Sequence, residues 1–155
     1  MANNYSIKDF LRKDVKDAPV VEIPGVKTFS DSEGNPIPMK IRPIGMDEVT
    51  KIRTGCTRRR IAKDNKGKMI FNNGSVVYDE QQDSTAMSNH MIAASLVFPD
   101  LHDKDLLLFY GVESAADAVT KVFSRPDDYR YIIGKIQEIS GLTDDGDEVV
   151  EEAKN

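Results

Sequence analysis

Apolar positions recur along the chain at two spacings, and the change from one to the other divides it. In "PMKIRPI", Ile37, Met39 and Ile41 alternate with Lys40 and Arg42, the period of two that sets one face of a strand on a core and the other in water. The run before it, "VVEIPGVKTF", is also β-like, and "SDSEGNP" between the two supplies Asp, Gly, Asn and Pro for a turn. Residues 20–43 are therefore predicted to form a hairpin. Pro24, Pro36, Pro38 and Pro43 each lack a ladder N–H, which keeps it short and at a sheet edge. Ahead of it, Ser6 is placed to cap a turn that buries Ile7, Phe10 and Leu11.

From Asp47 onward the spacing becomes helical. Val49 and Ile52 mark one helix running toward Cys56. Residues 79–98, "DEQQDSTAMSNHMIAASLVF", predict the longest, with Met87, Met91, Ala94 and Val97 on one face and Pro99 as its stop. Asp103 caps a short helix carrying Leu106, Leu107 and Phe109 or Tyr110, and Gly111 supplies the positive φ on which helices commonly end. Ser114 caps a helix whose inner face is Ala115, Val119, Val122 and Phe123. Pro126 opens the last one, where its missing N–H costs little, and Gly141 closes it behind the stripe Tyr129, Ile132, Ile133, Ile136 and Ile139. The fold class is α+β, mainly α: a small N-terminal β-hairpin followed by four or five packed helices. Residues 1–142 form a single globular domain, with the hairpin region at 20–43 and the helical region at 44–142.

Charge adds two segments that the periodicity leaves out. Of 155 residues with a net charge of -5, the last thirteen, "TDDGDEVVEEAKN", hold six acids against one lysine, so the tail accounts for the whole imbalance. Mutual repulsion and little apolar surface predict a disordered acidic tail over 143–155. In contrast, "KIRTGCTRRRIAKDNKGK" (51–68) holds eight basic residues and one acid. Residues 57–77 read as a mobile basic loop. Arg58, Arg59, Arg60 and Lys63 are candidates for electrostatic docking, either of an acidic protein segment, the chain's own acidic tail among them, or of nucleic-acid phosphates. Nucleic acid is the weaker reading, because no aromatic residue precedes Phe71 and no groove-reading motif accompanies the segment.

No catalytic, metal or cofactor-binding residue is assigned. Asp100, Asp103 and Asp105 read as caps and solvated first-turn charges. His90 and His102 have no His or Cys at ligand spacing, and "DDGDEVVEEA" fails the calcium-loop pattern. Cys56 reads as a plain, moderately exposed thiol, against the alternative of a nucleophile whose pKa is lowered by Arg58, Arg59 and Arg60. Phosphate loops, nucleophile elbows and dinucleotide fingerprints are missing. The single cysteine suits a reducing cytoplasm. "MANNYSIKDF" lacks the features of a signal peptide, and no apolar run reaches the roughly 20 residues of a membrane span.

Five motifs in order then carry a resemblance: "IKDFLRKD", "KTFSDSEGNPIPMKIRPIGMDEVTKIRTGCTRR", "MIAASLVFPDL", "LLLFYGV" and "FSRPDDYRYIIGKIQEISGL". Over residues 7–142 the chain resembles the XkdN-like phage tail assembly chaperones, departing most at 60–77 and in the tail. The resemblance implies a non-enzymatic protein of a phage or prophage tail module. Such a protein keeps the tape measure protein soluble while tail-tube protein assembles around it, acts in the host cytoplasm and is absent from the mature virion. Met87, Met91, Phe109, Tyr110, Tyr129 and Ile133 are the candidate partner-binding residues, because Met and aromatic side chains line adaptable helix-binding grooves; the same six also read as core. An amphipathic helical domain with surplus apolar surface is also expected to form a homo-oligomer.

Overall fold

A computed structural model describes residues 4–11 and 18–142, so the disordered tail expected over 143–155 lies outside the described residues. After a 3₁₀ turn at Ile7–Phe10 come β1 (Val21–Ile23), β2 (Met39–Ile41), α1 (Met46–Gly55), β3 (Thr57–Ile61), β4 (Phe71–Asn72), β5 (Ser75–Val76) and β6 (Tyr78–Gln82). Then follow α2 (Ser84–Ser95), β7 (Leu96–Phe98), α3 (Lys104–Tyr110), α4 (Ala115–Val122) and α5 (Pro126–Ile139). The class is mixed α and β, with five α-helices among the described residues.

The helix ends obey local chemistry. Asp103 Oδ1 accepts from the N–H groups of Asp105 and Leu106, Ser114 Oγ accepts from Asp117, and Gly111 and Gly141 carry φ of 66° and 70°. Pro126 begins α5. The inner face of α4 is Ala115, Ala118, Val119 and Val122, and α5 buries Ile132 and Ile136 with Tyr129, Ile133 and Ile139 half-buried beside them. At the N-terminus, Ser6 and Asp9 form a capping box, but the expected burial does not follow: Ile7 and Phe10 are more than three-quarters exposed and Leu11 about half.

α2 packs against α1, α4 and α5. Enclosed by three helices, it buries Met91, Ile92, Ala93 and Ser95, a band wider than the single stripe of Met87, Met91, Ala94 and Val97. It is also shorter at both ends than predicted. Asp83 caps it through its bond from Ala86 N–H, and it stops at Ser95, because Leu96–Phe98 leave the helix to pair with β2. β1 and β2 are thus not a free-standing edge hairpin. They belong to a three-stranded antiparallel sheet, order β1-β2-β7, with β2 in the centre. Met39 and Ile41 point into the core while Lys40 is exposed, as their alternation requires. Ser95 Oγ donates to Arg42 O (2.5 Å) and Arg42 N–H donates to Ser95 O (2.9 Å), joining the end of α2 to the end of β2.

Among the described residues, three hydrogen bonds attach α5 and its C-cap to the N-terminal third. Thr28 Oγ1 donates to Asp128 Oδ2 (2.5 Å), Tyr131 OH to Pro24 O (2.6 Å), and Ile44 N–H to Ser140 Oγ (2.9 Å). The last of these places the end of α5 beside the start of α1.

Residues 57–82 overturn the loop expected at 57–77 and the helix expected from 79. β3 pairs antiparallel with β6, setting Arg59 opposite Glu80 and Arg60 opposite Asp79. Beyond this stem, Ala62 N–H donates to Val77 O, Ile70 N–H to Ala62 O and Val77 N–H to Ile70 O, a junction from which two small hairpins leave. One closes at the Lys63–Met69 bridge over a turn in which Asp64 Oδ1 accepts from Lys66 and Lys68 N–H. The other joins β4 to β5 through Asn73-Gly74, with φ of 50° and 79°, the positive pair of a type I′ turn. Both faces of the stem meet solvent, so no hydrophobic alternation announces it; Asn-Gly between "MIF" and "VVY" was the available signal.

Candidate functional site

Where the three-stranded sheet meets α3 and α4, an apolar cavity of about 190 Å³ opens to the surface. Val26 and Phe29 come from the connection after β1, Ile37, Pro38 and Met39 from the approach to β2, and Phe98 and Pro99 from the end of β7. α3 contributes Leu106 and Tyr110, and the end of α4 closes the far wall with Val122 and Phe123. Its position follows from α3, whose sequence "KDLLLFY" is apolar on every side. Leu106, Leu107 and Tyr110 turn inward, which leaves Leu108 and Phe109 79% and 80% exposed. Phe109 stands edge-on to Tyr110, ring centroids 5.0 Å apart, so exposed patch and cavity wall are continuous. Phe98, half exposed, and Ile37 extend the rim.

Apart from the Tyr110 hydroxyl, every lining side chain is apolar. What it can do is take up an apolar group: a dry cavity of about 150 Å³ holds a benzene-sized molecule.

The second cavity, an open cleft of about 510 Å³, brings together groups that lie apart in sequence: both histidines, His90 and His102, with Glu48, Lys51 and Glu113 around a floor of alanines. Glu48 is engaged by the Arg42 guanidinium at 2.8 and 2.9 Å, which holds its carboxyl below the usual carboxylate range, the opposite of what a general acid needs. His102 Nδ1 is 3.2 Å from Asp100 Oδ1. Among the described residues no three His, Cys, Asp or Glu side chains are grouped to hold a metal ion.

The six partner-binding candidates are dispersed. Met91 is in the core; Tyr129 and Ile133 are half-buried against it, with Tyr129 OH donating to Asn89 Oδ1 at 2.7 Å. Met87 is half-buried on α2. Phe109 and Tyr110 lie together at the apolar cavity, the one exposed and the other lining it. Sequence reasoning missed Phe98, Leu108 and Ile37, because their exposure depends on which face the neighbouring elements occupy.

Arg58, Arg59, Arg60 and Lys63 are exposed on the β3–β6 arm. Arg59 lies 4.7 Å over the Tyr78 ring. Among the described residues none of the arm's cations comes within 4 Å of a carboxylate. Cys56, at the base of the arm, is buried rather than exposed. Burial, with Asp83 adding to it, pushes its thiol pKa up instead of down.

Among the described residues no helix is long and apolar enough to cross a membrane. A crystal structure of the protein YqbN matches this fold with a TM-score of 0.65, covering 90% of this chain and 98% of that one at 22% identity. Two sequence relatives come from Bacillus subtilis strain 168. The phage-like element PBSX protein XkdN is 28% identical over 153 residues, 99% of this chain and 96% of the relative. The uncharacterised protein YqbN is 25% identical over 151 residues, 97% and 94% of the two chains. The family model of the phage XkdN-like tail assembly chaperone proteins matches residues 7–154, beyond the 7–142 that the motifs covered and through both the arm and the acidic tail. The chain therefore belongs to the XkdN-like phage tail assembly chaperone family.

Proposed function

We propose that this protein acts by binding alone, as a tail assembly chaperone whose client is the tape measure protein of its own phage or prophage. The observation that carries this reading is the apolar cavity with its exposed rim. A helix offers anchors at i, i+3, i+4 and i+7. One large anchor fits the cavity, and its neighbours lie across Phe109, Leu108 and Phe98. Contiguous exposed apolar side chains of this kind mark interaction surfaces rather than ordinary protein exterior. Covering the client's apolar face in the host cytoplasm, until tail-tube protein replaces the chaperone, requires no catalysis and no cofactor. Release at that point leaves the chaperone out of the mature virion, and the same patch accounts for a homo-oligomer while no client is present.

The test is co-expression with the tape measure protein followed by affinity capture in 0.1 and 0.5 M salt. Client held at both salts, and soluble only in the presence of the chaperone, is the expected result, because apolar contact survives screening that removes phosphate binding. Phe109→Asp should abolish capture while leaving the thermal midpoint within about 2 °C, since an exposed residue contributes little to stability. Nucleic acid retained at 0.1 M and lost at 0.5 M, with no client captured, would move the function to the arm.

A further inference from the structure

We infer that the β3–β6 arm is the docking surface for the chain's own acidic tail, residues 143–155. The arm combines unpaired cations with exposed apolar side chains. Arg58, Arg59, Arg60, Lys63, Lys66 and Lys68 project from it against only Asp64, Asp79 and Glu80, and no cation among them is ion-paired within the described residues. Between these cations Ile61, Met69, Ile70, Phe71 and Tyr78 are 39–58% exposed.

The tail is complementary in both respects. Asp144, Asp145, Asp147, Glu148, Glu151 and Glu152 surround the apolar pair Val149-Val150. Acids can approach the unpaired guanidinium and ammonium groups while the valines cover apolar side chains of the stem, where Ile61 lies opposite Tyr78. Repulsion among the tail's six acids would be relieved by the arm's opposite charge.

The tether permits the contact. Ser140 Oγ is bonded to Ile44 N–H, so the chain leaves α5 beside the start of α1. Ten-residue α1 then spans about 15 Å to the base of the arm. The five-residue stem strand adds about 17 Å. Thirteen tail residues extend to at most about 45 Å, enough to reach the junction at Ala62. The arm shares no residue with the apolar cavity, so this inference stands or falls separately from the client reading. A tail in place would exclude other polyanions, including nucleic acid, from the arm.

The experiment uses the full chain with Cys56→Ala and a nitroxide on Asn155→Cys, reading paramagnetic broadening of backbone amides. In 0.1 M salt the amides of residues 58–61 and 78 should lose more than half their intensity, and 0.5 M salt should restore it. A full-length variant with the six tail acids changed to Asn or Gln, which leaves the folded domain untouched, should show no broadening there. That variant should also bind a single-stranded 20-mer oligonucleotide at least tenfold more tightly than the parent. Uniform broadening, broadening that persists in the amide variant, or broadening seen only between labelled and unlabelled chains in a mixture would each overturn the inference. Equal oligonucleotide affinity of the two chains would do the same.

Discussion

Changing Gly25 to alanine tests the packing of the N-terminal third more severely than its single added carbon suggests. A Cβ built there falls 1.9 Å from the carbonyl oxygen of Ile37 and 2.7 Å from its carbon. The obstacle is backbone, so no rotamer change relieves it, and the two segments must separate by about 1 Å or more before ordinary contact is restored. Both segments are held. Ile37 N–H donates to Phe29 O at 2.9 Å, Ile23 pairs with Met39 just beyond the crossing, and Ile23, Val26 and Met39 are all in the core. Overpacking of this kind costs roughly 1–3 kcal/mol, and a broken strand hydrogen bond adds about 1 kcal/mol. The expected loss is about 3 kcal/mol, a fall in thermal midpoint of about 6–12 °C for a chain of this size.

Gly134→Ala is the control. Gly134 sits inside α5, where a built Cβ meets nothing within 4 Å beyond its chain neighbours and the nearby backbone of its own helix, so alanine there should stabilise by about 0.8–1 kcal/mol through helix propensity. Urea unfolding followed by circular dichroism reads both. A Gly25→Ala chain within about 0.5 kcal/mol of the parent, or equal losses in the two variants, would refute the close approach.

Thr28→Val should destabilise by about 1–3 kcal/mol, because Asp128, only 8% exposed, loses its hydroxyl donor; Thr28→Ser should recover most of the loss in the same urea titration. Cys56 should react with a thiol reagent at pH 8 at least about tenfold more slowly in the native chain than in 6 M urea, since burial both shields the sulfur and disfavours the thiolate; equal rates would contradict its placement. The Arg42–Glu48 pair should contribute to stability only above a certain pH. With the folded pKa of Glu48 below the ordinary 4.5, its contribution is present above that value and is lost as pH falls through the folded pKa. Both side chains are about 40% exposed, so Glu48→Gln should cost at most about 0.5 kcal/mol at pH 7 and progressively less as pH falls below 4.5; a loss that does not change with pH would show that packing, not charge, is responsible.

Features that depend only on neighbours along the chain were legible without a structure. Asp103, Ser114, Pro126, Gly111 and Gly141 mark helix ends because a cap, a ring-locked φ or a positive φ acts within three or four residues. The stripes of α4 and α5 were legible because each of these helices buries one face only. The family was legible in the order of five motifs, for the same reason that linear patterns survive in a single chain.

Tertiary structure decided the rest. Leu96–Phe98 are strand rather than helix because β2 offers them a ladder. The arm at 57–82 forms because Thr57–Ile61 finds an antiparallel ladder partner in Tyr78–Gln82, a pairing that leaves no hydrophobic period to read. Met91 is core while Phe109, equally apolar and equally placed on a helix, is exposed, because α2 is enclosed by three helices and α3 presents one side to solvent. Burial is a property of what surrounds a residue. The apolar cavity, made from five separate segments between Val26 and Phe123, exists only once those segments meet.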